Sequence, residues 1–364
     1  MRTPALCAAL LAVLAVIAAP AAVAHDDPSG PVVGGLFNPR GIDIGPSGRL
    51  FVAESGSGEI TRIRTWGKHA PKVSTFATLP TLPGGPEDDP PALGPVEVAV
   101  SGSGKKYVLM SGPPRGPTGD EFGRLIQVRR NGTTRLIADI AAYQAVDVDP
   151  HDTEDDPKES NPNGLALLHG GKFLVADAAG NDLLLVDSHG RISTVARFKP
   201  ELVPFPPGLP FGPPPGSPFP AEAVPTAVAV GPDGAWYVSE LKGFPFVKGT
   251  SRIWRIQPGS VGATCDPAAP NTGPCRTVGT GFTSVIDLAF GRHGTMYVLE
   301  IAKNGLLDAG LGALWRVKHG TKTELVPGTL LFPGGLAVDH HDDLFVTTGA
   351  VFGPGAGGVV RVND

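Results

Sequence analysis

The chain is poor in several things that commonly reveal function. Its 364 residues hold three cysteines, and charged residues reach only 18%. No sign of charge dominates: 30 Lys and Arg against 35 Asp and Glu leave a net charge of −5. With no net basic field, nucleic acid is not an expected partner. Past residue 24, no run approaches the ~18 uninterrupted apolar residues of a membrane span. Nucleophile-elbow GxSxG, zinc-binding HExxH and phosphate-cradling Gly-rich loops are missing as well. Gly 50 and Pro 39, by contrast, make up about a quarter of the chain. Both residue types interrupt helices, which disfavours a helical bundle. A hydrophobic content of 41% excludes wholesale disorder. What remains is a turn-rich all-β protein.

Residues 1–24 read as a signal peptide. Arg2 supplies the positive start, Leu6 to Ile17 are almost wholly apolar, and Ala22-Val23-Ala24 gives the small-x-small cleavage pattern. The competing reading is an uncleaved N-terminal anchor. Cleavage near Ala24 predicts a secreted protein, extracellular or periplasmic, with residues 25–364 as one domain. Cys7 leaves with the leader, and Cys265 and Cys275 remain in the stretch CDPAAPNTGPC. An oxidising compartment favours a disulfide there, and no CxxC spacing or paired His suggests redox or zinc work.

Internal repetition is the strongest signal. A short apolar strand, a Gly-containing turn and a second strand recur six times, starting at Gly41, Glu97, Gly164, Ala227, Asp287 and Gly335. Ten positions on, the second strand presents Phe51, Tyr107, Leu174, Tyr237, Tyr297 and Phe345. So constant a register implies hairpins with fixed turn geometry. A third apolar strand follows every hairpin, and five copies add a fourth, the one in copy five expected at Glu324 to Leu330. The sixth copy ends at Asp364 without one, and residues 32–36 can supply it from the other end of the chain. The expected fold is a six-bladed β-propeller of four-stranded blades, spanning about 38–79, 95–140, 161–198, 224–282, 284–330 and 332–364 plus 32–36. Pairing strand 32–36 into the last blade closes the ring and removes an exposed edge.

In such a ring the long loops 80–95, 111–122, 141–162, 199–225, 241–250, 301–312 and 349–357 share one face, where binding residues tend to sit. Second strands end on that face in Glu54, Asp177, Glu240 and Glu300. First strands begin there with Arg40, Glu97, Asn163, Thr226 and Asp287. Glu97 and Asp287 belong to opposite blades, where the other copies carry small residues. Converging carboxylates repel unless a cation, an Arg or a proton relieves them. Glu97, Asn163 and Asp287 would suit Ca²⁺ or another hard divalent metal completed by water. Repetition itself equally suits a structural role, each acid capping neighbouring backbone N–H groups.

Other segments say less. Loop 147–159 holds seven acids against one Lys but lacks EF-hand spacing, so a solvated acidic loop is expected. The Pro-rich segment 199–220, with interleaved Phe, reads as a polyproline II strip or as a lid packed on its own domain. His169, His189, His293, His319 and His340 fall at turns, where exposure is expected.

Several segments resemble the ScyD/ScyE family, secreted propellers with NHL-like repeats associated with a cyanobacterial sunscreen-pigment gene cluster. They are Asn38-Pro39-Arg40-Gly41, Ala141-Ala142-Tyr143, Ser160-Asn161-Pro162-Asn163-Gly164-Leu165, Ala178-Ala179-Gly180-Asn181-Asp182-Leu183, Val224-Pro225-Thr226, Ser239 to Phe246, and Gly281 to Phe290. The resemblance runs from about residue 31 to 364 and implies fold and export, but no reaction. Two functions stay open. One is a non-enzymatic, monomeric secreted propeller that binds a protein partner or small ligand on the long-loop face. The other, similar to the gluconolactonase and regucalcin group, is a Ca²⁺-dependent lactonase-type hydrolase. In it Glu97, Asn163 and Asp287 would hold the metal and Glu54 or Glu240 would act as base, with Arg40, Thr226 and Glu300 completing the channel mouth.

Overall fold

The structure, a computed structural model, describes residues 30–82, 93–112, 121–308 and 310–364. The signal-peptide reading and much of loops 80–95 and 111–122 fall outside the described residues. Among the described residues, no helix is long and apolar enough to cross a membrane.

Six antiparallel sheets form the propeller. Blade one runs Pro39–Ile44, Leu50–Glu54, Glu59–Arg64 and Lys72–Thr78. Blade two runs Pro95–Val100, Lys106–Met110, Arg124–Val128 and Thr134–Asp139. Blade three is Pro162–Leu168, Lys172–Asp177, Asp182–Val186 and Ile192–Phe198. Blade four is Pro225–Val230, Trp236–Glu240, Ser251–Ile256 and Cys275–Phe282. Blade five is Val285–Phe290, Met296–Glu300, Ala313–Lys318 and Thr321–Leu325. Blade six takes Leu336–Val338, Leu344–Thr348 and Gly357–Val362 from the end of the chain and Gly30–Leu36 from its start. That last pairing places Val33 opposite Val359 and Leu36 opposite Gly357, so the ring closes as the repeat count requires.

The shared register comes from one turn. Gly48, Gly104, Gly171, Gly234 and Gly294 occupy equivalent positions with φ between 71° and 78°, and Asp342 takes the sixth place at φ 67°. A positive φ costs glycine nothing and is tolerated by Asp, so the turn closes at a fixed length in every copy. Strands two and three then bury apolar residues on both faces, as in Leu50-Phe51-Val52-Ala53. These pack against the neighbouring blade; Leu174, Val195 and Phe198 of blade three meet Val238, Trp254 and Ile256 of blade four. Burying each large side chain contributes roughly 1.5–3 kcal/mol.

The structure departs from expectation at four places. Blade five's outer strand is Thr321–Leu325, earlier than 324–330, because His319 and Gly320 turn the chain with φ 49° and 78° directly after Lys318. Two consecutive positive φ values give the tight hairpin that pairs Lys318 with Thr321. The Pro-rich segment is not a polyproline II strip; it packs on its own domain, as the lid reading expected, but as a β-hairpin. Glu201–Pro204 pairs antiparallel with Pro218–Ala221, and Phe205, Phe211 and Phe219 pack around Phe244 with ring centroids 5.5–5.9 Å apart. A five-residue helix, Ile140–Gln144, begins at Asp139, whose side chain accepts the Ala142 N–H. Finally, Ala263–Cys265 adds a parallel fifth strand to blade three. Its Cys265 is bonded to Cys275, the first residue of blade four's outer strand, so the disulfide ties two neighbouring blade edges together.

Candidate functional site

The first strand of each blade lines the channel, and its mouth is shaped by a repeated irregularity. A β-bulge falls between Pro39 and Ile42, Pro95 and Glu97, Pro162 and Gly164, Pro225 and Ala227, and Val285 and Asp287. Bulges re-aim side chains, and they recur beside functional sites. Arg40, Asn163 and Thr226 lie in the bulges, whereas Glu97 and Asp287 follow them in register with Gly41, Gly164, Ala227 and Gly335.

At that level the ring is tight. A Cβ on Gly164 would stand 2.7 Å from Ala227 Cα, and one on Gly335 would stand 2.6 Å from the Arg40 carbonyl. A Cβ on Gly41 would meet Glu97 Oε1 at 2.1 Å, so the Glu97 carboxylate lies directly over that glycine. With small residues at the four equivalent positions, the Glu97 and Asp287 carboxylates of opposite blades stand close enough for the Asp287 charge to oppose ionisation of Glu97. Asp287 accepts the Leu288 N–H at 2.7 Å and, across the blade seam, the Leu336 N–H at 2.6 Å. Glu97 Oε1 accepts the Val98 N–H at 2.9 Å.

Electrostatics follow from this crowding. Burial, then the nearby Asp287 charge, pushes the Glu97 carboxyl well above the carboxylate range, and the Arg40 guanidinium only partly offsets them. Burial raises Asp287 to about 7 against its two backbone hydrogen bonds. Arg40 is itself pushed down by burial and supported by Glu97. A third acid belongs to the group: Asp43, which accepts the Ile44 N–H at 2.7 Å and the Val100 N–H of blade two at 2.6 Å, and which burial raises to about 6. Sequence reasoning missed it, although the equivalent positions are Ala99, Ala166, Ala229, Ala289 and Ala337 and the odd carboxylate was visible in the same register.

The other expected site residues stand elsewhere. Thr226 is buried; its hydroxyl donates to the Val285 carbonyl at 2.8 Å and lies 3.1 Å from Ser239 Oγ, at the seam between blades four and five. Asn163 is half-buried at its bulge. Three of the second-strand acids hold the chain entering their own blade: Glu54 accepts the Phe37 N–H at 2.7 Å, Asp177 the Asn161 N–H at 2.7 Å and Glu300 the Thr283 N–H at 2.6 Å. Glu240 differs. It is fully buried, accepts the Trp254 indole N–H, and pairs with Lys242 at 2.7 Å and Arg252 at 3.4 Å. Glu201, from the Pro-rich hairpin, completes this buried group of two cations and two anions. The five turn histidines are exposed. Loop 147–159 is less solvated than expected: Asp149 is buried near Asn181, and Asp147 pairs with Arg197 at 2.6 Å.

The fit to Ca²⁺ is limited. The ion takes six to eight oxygen ligands, and among the described residues no group of three or more His, Cys, Asp or Glu is placed to hold a metal. Glu97 and Asp287 could bind a cation that keeps most of its water, which is less than a resident structural calcium needs.

No family model matches the chain, and no curated protein does. Solved structures do. An oxidoreductase described as a glucose dehydrogenase, from Thermus thermophilus, aligns at 18% identity and TM-score 0.57, over 92% of this chain and 99% of that one. The PQQ-bound aldose sugar dehydrogenase of Streptomyces coelicolor aligns at 16% and 0.51, over 92% and 96%. The calcium-binding protein regucalcin of Agrobacterium tumefaciens aligns at 13% and 0.54, over 92% and 93%. Such identities establish a shared fold, the six-bladed β-propeller. Their activities belong to those proteins, since one propeller scaffold carries many functions.

Proposed function

We propose that this is a non-catalytic, exported propeller of the ScyD/ScyE kind that holds a hydrated divalent cation at its channel mouth and binds a ligand or partner on the surrounding long-loop face. The observation that supports the reading is the pair Glu97 and Asp287, close enough for the charge of Asp287 to oppose ionisation of Glu97. Both resist ionisation, so a cation that lets both lose their protons gains their full charge. Binding should therefore release protons and strengthen as pH rises. The disulfide supports an oxidising compartment.

The test is calorimetric titration with Ca²⁺ at pH 6 and 8. Saturable binding is expected, tighter at pH 8 and lost when Glu97→Gln and Asp287→Asn are combined. Equal affinity for wild type and double variant would overturn the site.

One observation favours the lactonase-like alternative: Asp287, raised to about 7, lies where a general base works well near neutral pH. Glu54 and Glu240 are buried and already engaged, so in this reading Asp287 would be the base rather than a metal ligand, leaving Glu97 to hold the metal. Lactone hydrolysis that fails with both chelator and Asp287→Asn would favour this reading over the first.

A further inference from the structure

The face opposite the long loops has a charge pattern of its own. In blades four to six, a third-strand arginine lies across from a second-strand aromatic and is neutralised by an acid. Arg255 faces Tyr237 and pairs with Asp233; Arg316 faces Tyr297 and pairs with Asp364; Arg361 faces Phe345 and pairs with Asp343. Arg62 holds the same place in blade one, opposite Phe51, but its guanidinium reaches only Ser74 Oγ, at 3.0 and 3.2 Å. The repeat has lost its acid here.

Around Arg62 the imbalance deepens. Segments 45–52, 61–78, 100–108 and 126–136, which form this face of blades one and two, contain ten Lys and Arg and not one Asp or Glu. None of the ten forms an ion pair among the described residues, within a protein of net charge −5. Lys106 sits over the rings of Phe51 and Phe76 at 4.8 and 4.6 Å, close enough to feel Arg130, Arg62 and Arg49. Arg49, Arg62, Arg64, Lys72 and Ser74 line a recess of about 170 Å³. The Nε of Arg64, one of the lining residues, is buried with no hydrogen-bond partner among the described residues. Cations crowded around one recess repel one another, and a bound anion would relieve that cost.

The recess is smaller than the roughly 300–1,000 Å³ of drug-sized ligand pockets, so it suits one chemical group. Three arginines and a lysine lining that volume match a doubly charged tetrahedral oxyanion, with Arg49 also donating to Ser47 Oγ at 2.8 Å. We propose that the recess seats a phosphate group, and that exposed Lys68, Lys105, Arg129, Arg130 and Arg135 hold the rest of a linear, phosphate-bearing polyanion. This surface is independent of the channel mouth.

Titration of the full chain with inorganic phosphate, linear polyphosphate, polyglutamate and a short DNA duplex tests it. Phosphate should bind saturably and polyphosphate more tightly, with affinity falling as salt rises. Arg64→Gln should weaken both on the order of tenfold or more, as expected for a charged hydrogen bond. Arg129→Gln with Arg130→Gln should weaken polyphosphate alone. Should Arg64→Gln fail to fold by thermal melt, Lys72→Gln, at an exposed position, reads the same recess. Absence of saturable phosphate binding, or polyphosphate affinity unchanged by recess variants that fold, would overturn the proposal. So would polyglutamate or DNA binding as tightly as polyphosphate.

Discussion

Replacing Glu97 by Gln should make the protein more stable at alkaline pH, not less. Glu97 uses Oε1 to accept the Val98 N–H, and Gln can keep that bond through its own Oε1. What disappears is the charge. Desolvation and the Asp287 charge, the two largest influences on Glu97, both oppose its ionisation, whereas Arg40 is the weakest. The sign is set by the raised carboxyls: they favour the protonated form on folding, so their stabilising contribution is complete at low pH and lost as pH rises through their folded values. For Asp287 that window runs from its ordinary 3.8 up to about 7. At about 1.4 kcal/mol per pH unit the whole effect is at most about 4 kcal/mol. Partial water access to the half-buried channel carboxylates reduces it. Glu97→Gln should therefore raise unfolding free energy by about 1–2 kcal/mol at pH 8 and change it by less than about 0.5 kcal/mol at pH 4. Urea unfolding at the two pH values, with unchanged m, measures this directly. An equal loss of stability at both pH values would refute the reasoning, because it would mean Glu97 is ionised and held by Arg40.

Three further perturbations probe the framework. Gly164→Ala places a methyl 2.7 Å from Ala227 Cα and 2.8 Å from the Thr226 carbonyl, both backbone atoms, and should cost about 1–3 kcal/mol in chemical unfolding. Lys242→Met leaves buried Glu240 and half-buried Glu201 with Arg252 alone; the expected cost is about 3–5 kcal/mol, seen as a lowered Tm, and Glu240→Gln in the same chain should recover part of it. Reducing Cys265–Cys275 opens a short loop and should cost roughly 2.5 kcal/mol on the chain-entropy model, read from melts with and without reductant.

The ring was legible because each hairpin turn has the same length and needs a positive φ, so Gly recurs at one offset and fixes strand register before any packing is known. Strand 30–36 could be assigned by subtraction, since five fourth strands for six blades leaves one vacancy. Blade five's outer strand was less legible because Thr321-Lys322-Thr323 is polar, whereas apolar Val326 and Leu330 lie past its end. At the channel mouth, Glu97 and Asp287 stood out as acids in a column of small residues. Arg40, Asn163 and Thr226 were harder, because a β-bulge turns residues out of simple alternation and no sequence spacing marks which ones. Lys242 and Arg252 were invisible as a buried pair, since the acid that joins them from Glu201 arrives through a hairpin some forty residues earlier in the chain. The basic face was hidden by arithmetic: a total of −5 averages ten unpaired cations on two blades against acids elsewhere.

The most direct measurement is an NMR pH titration of the side-chain carboxyl carbons of Glu97 and Asp287, with and without Ca²⁺. Both carboxyls should titrate above the ordinary carboxylate range, each midpoint responding to neutralisation of the other residue and falling when the cation is added. Two independent midpoints near 4, indifferent to each other and to Ca²⁺, would contradict the electrostatic coupling on which the account rests.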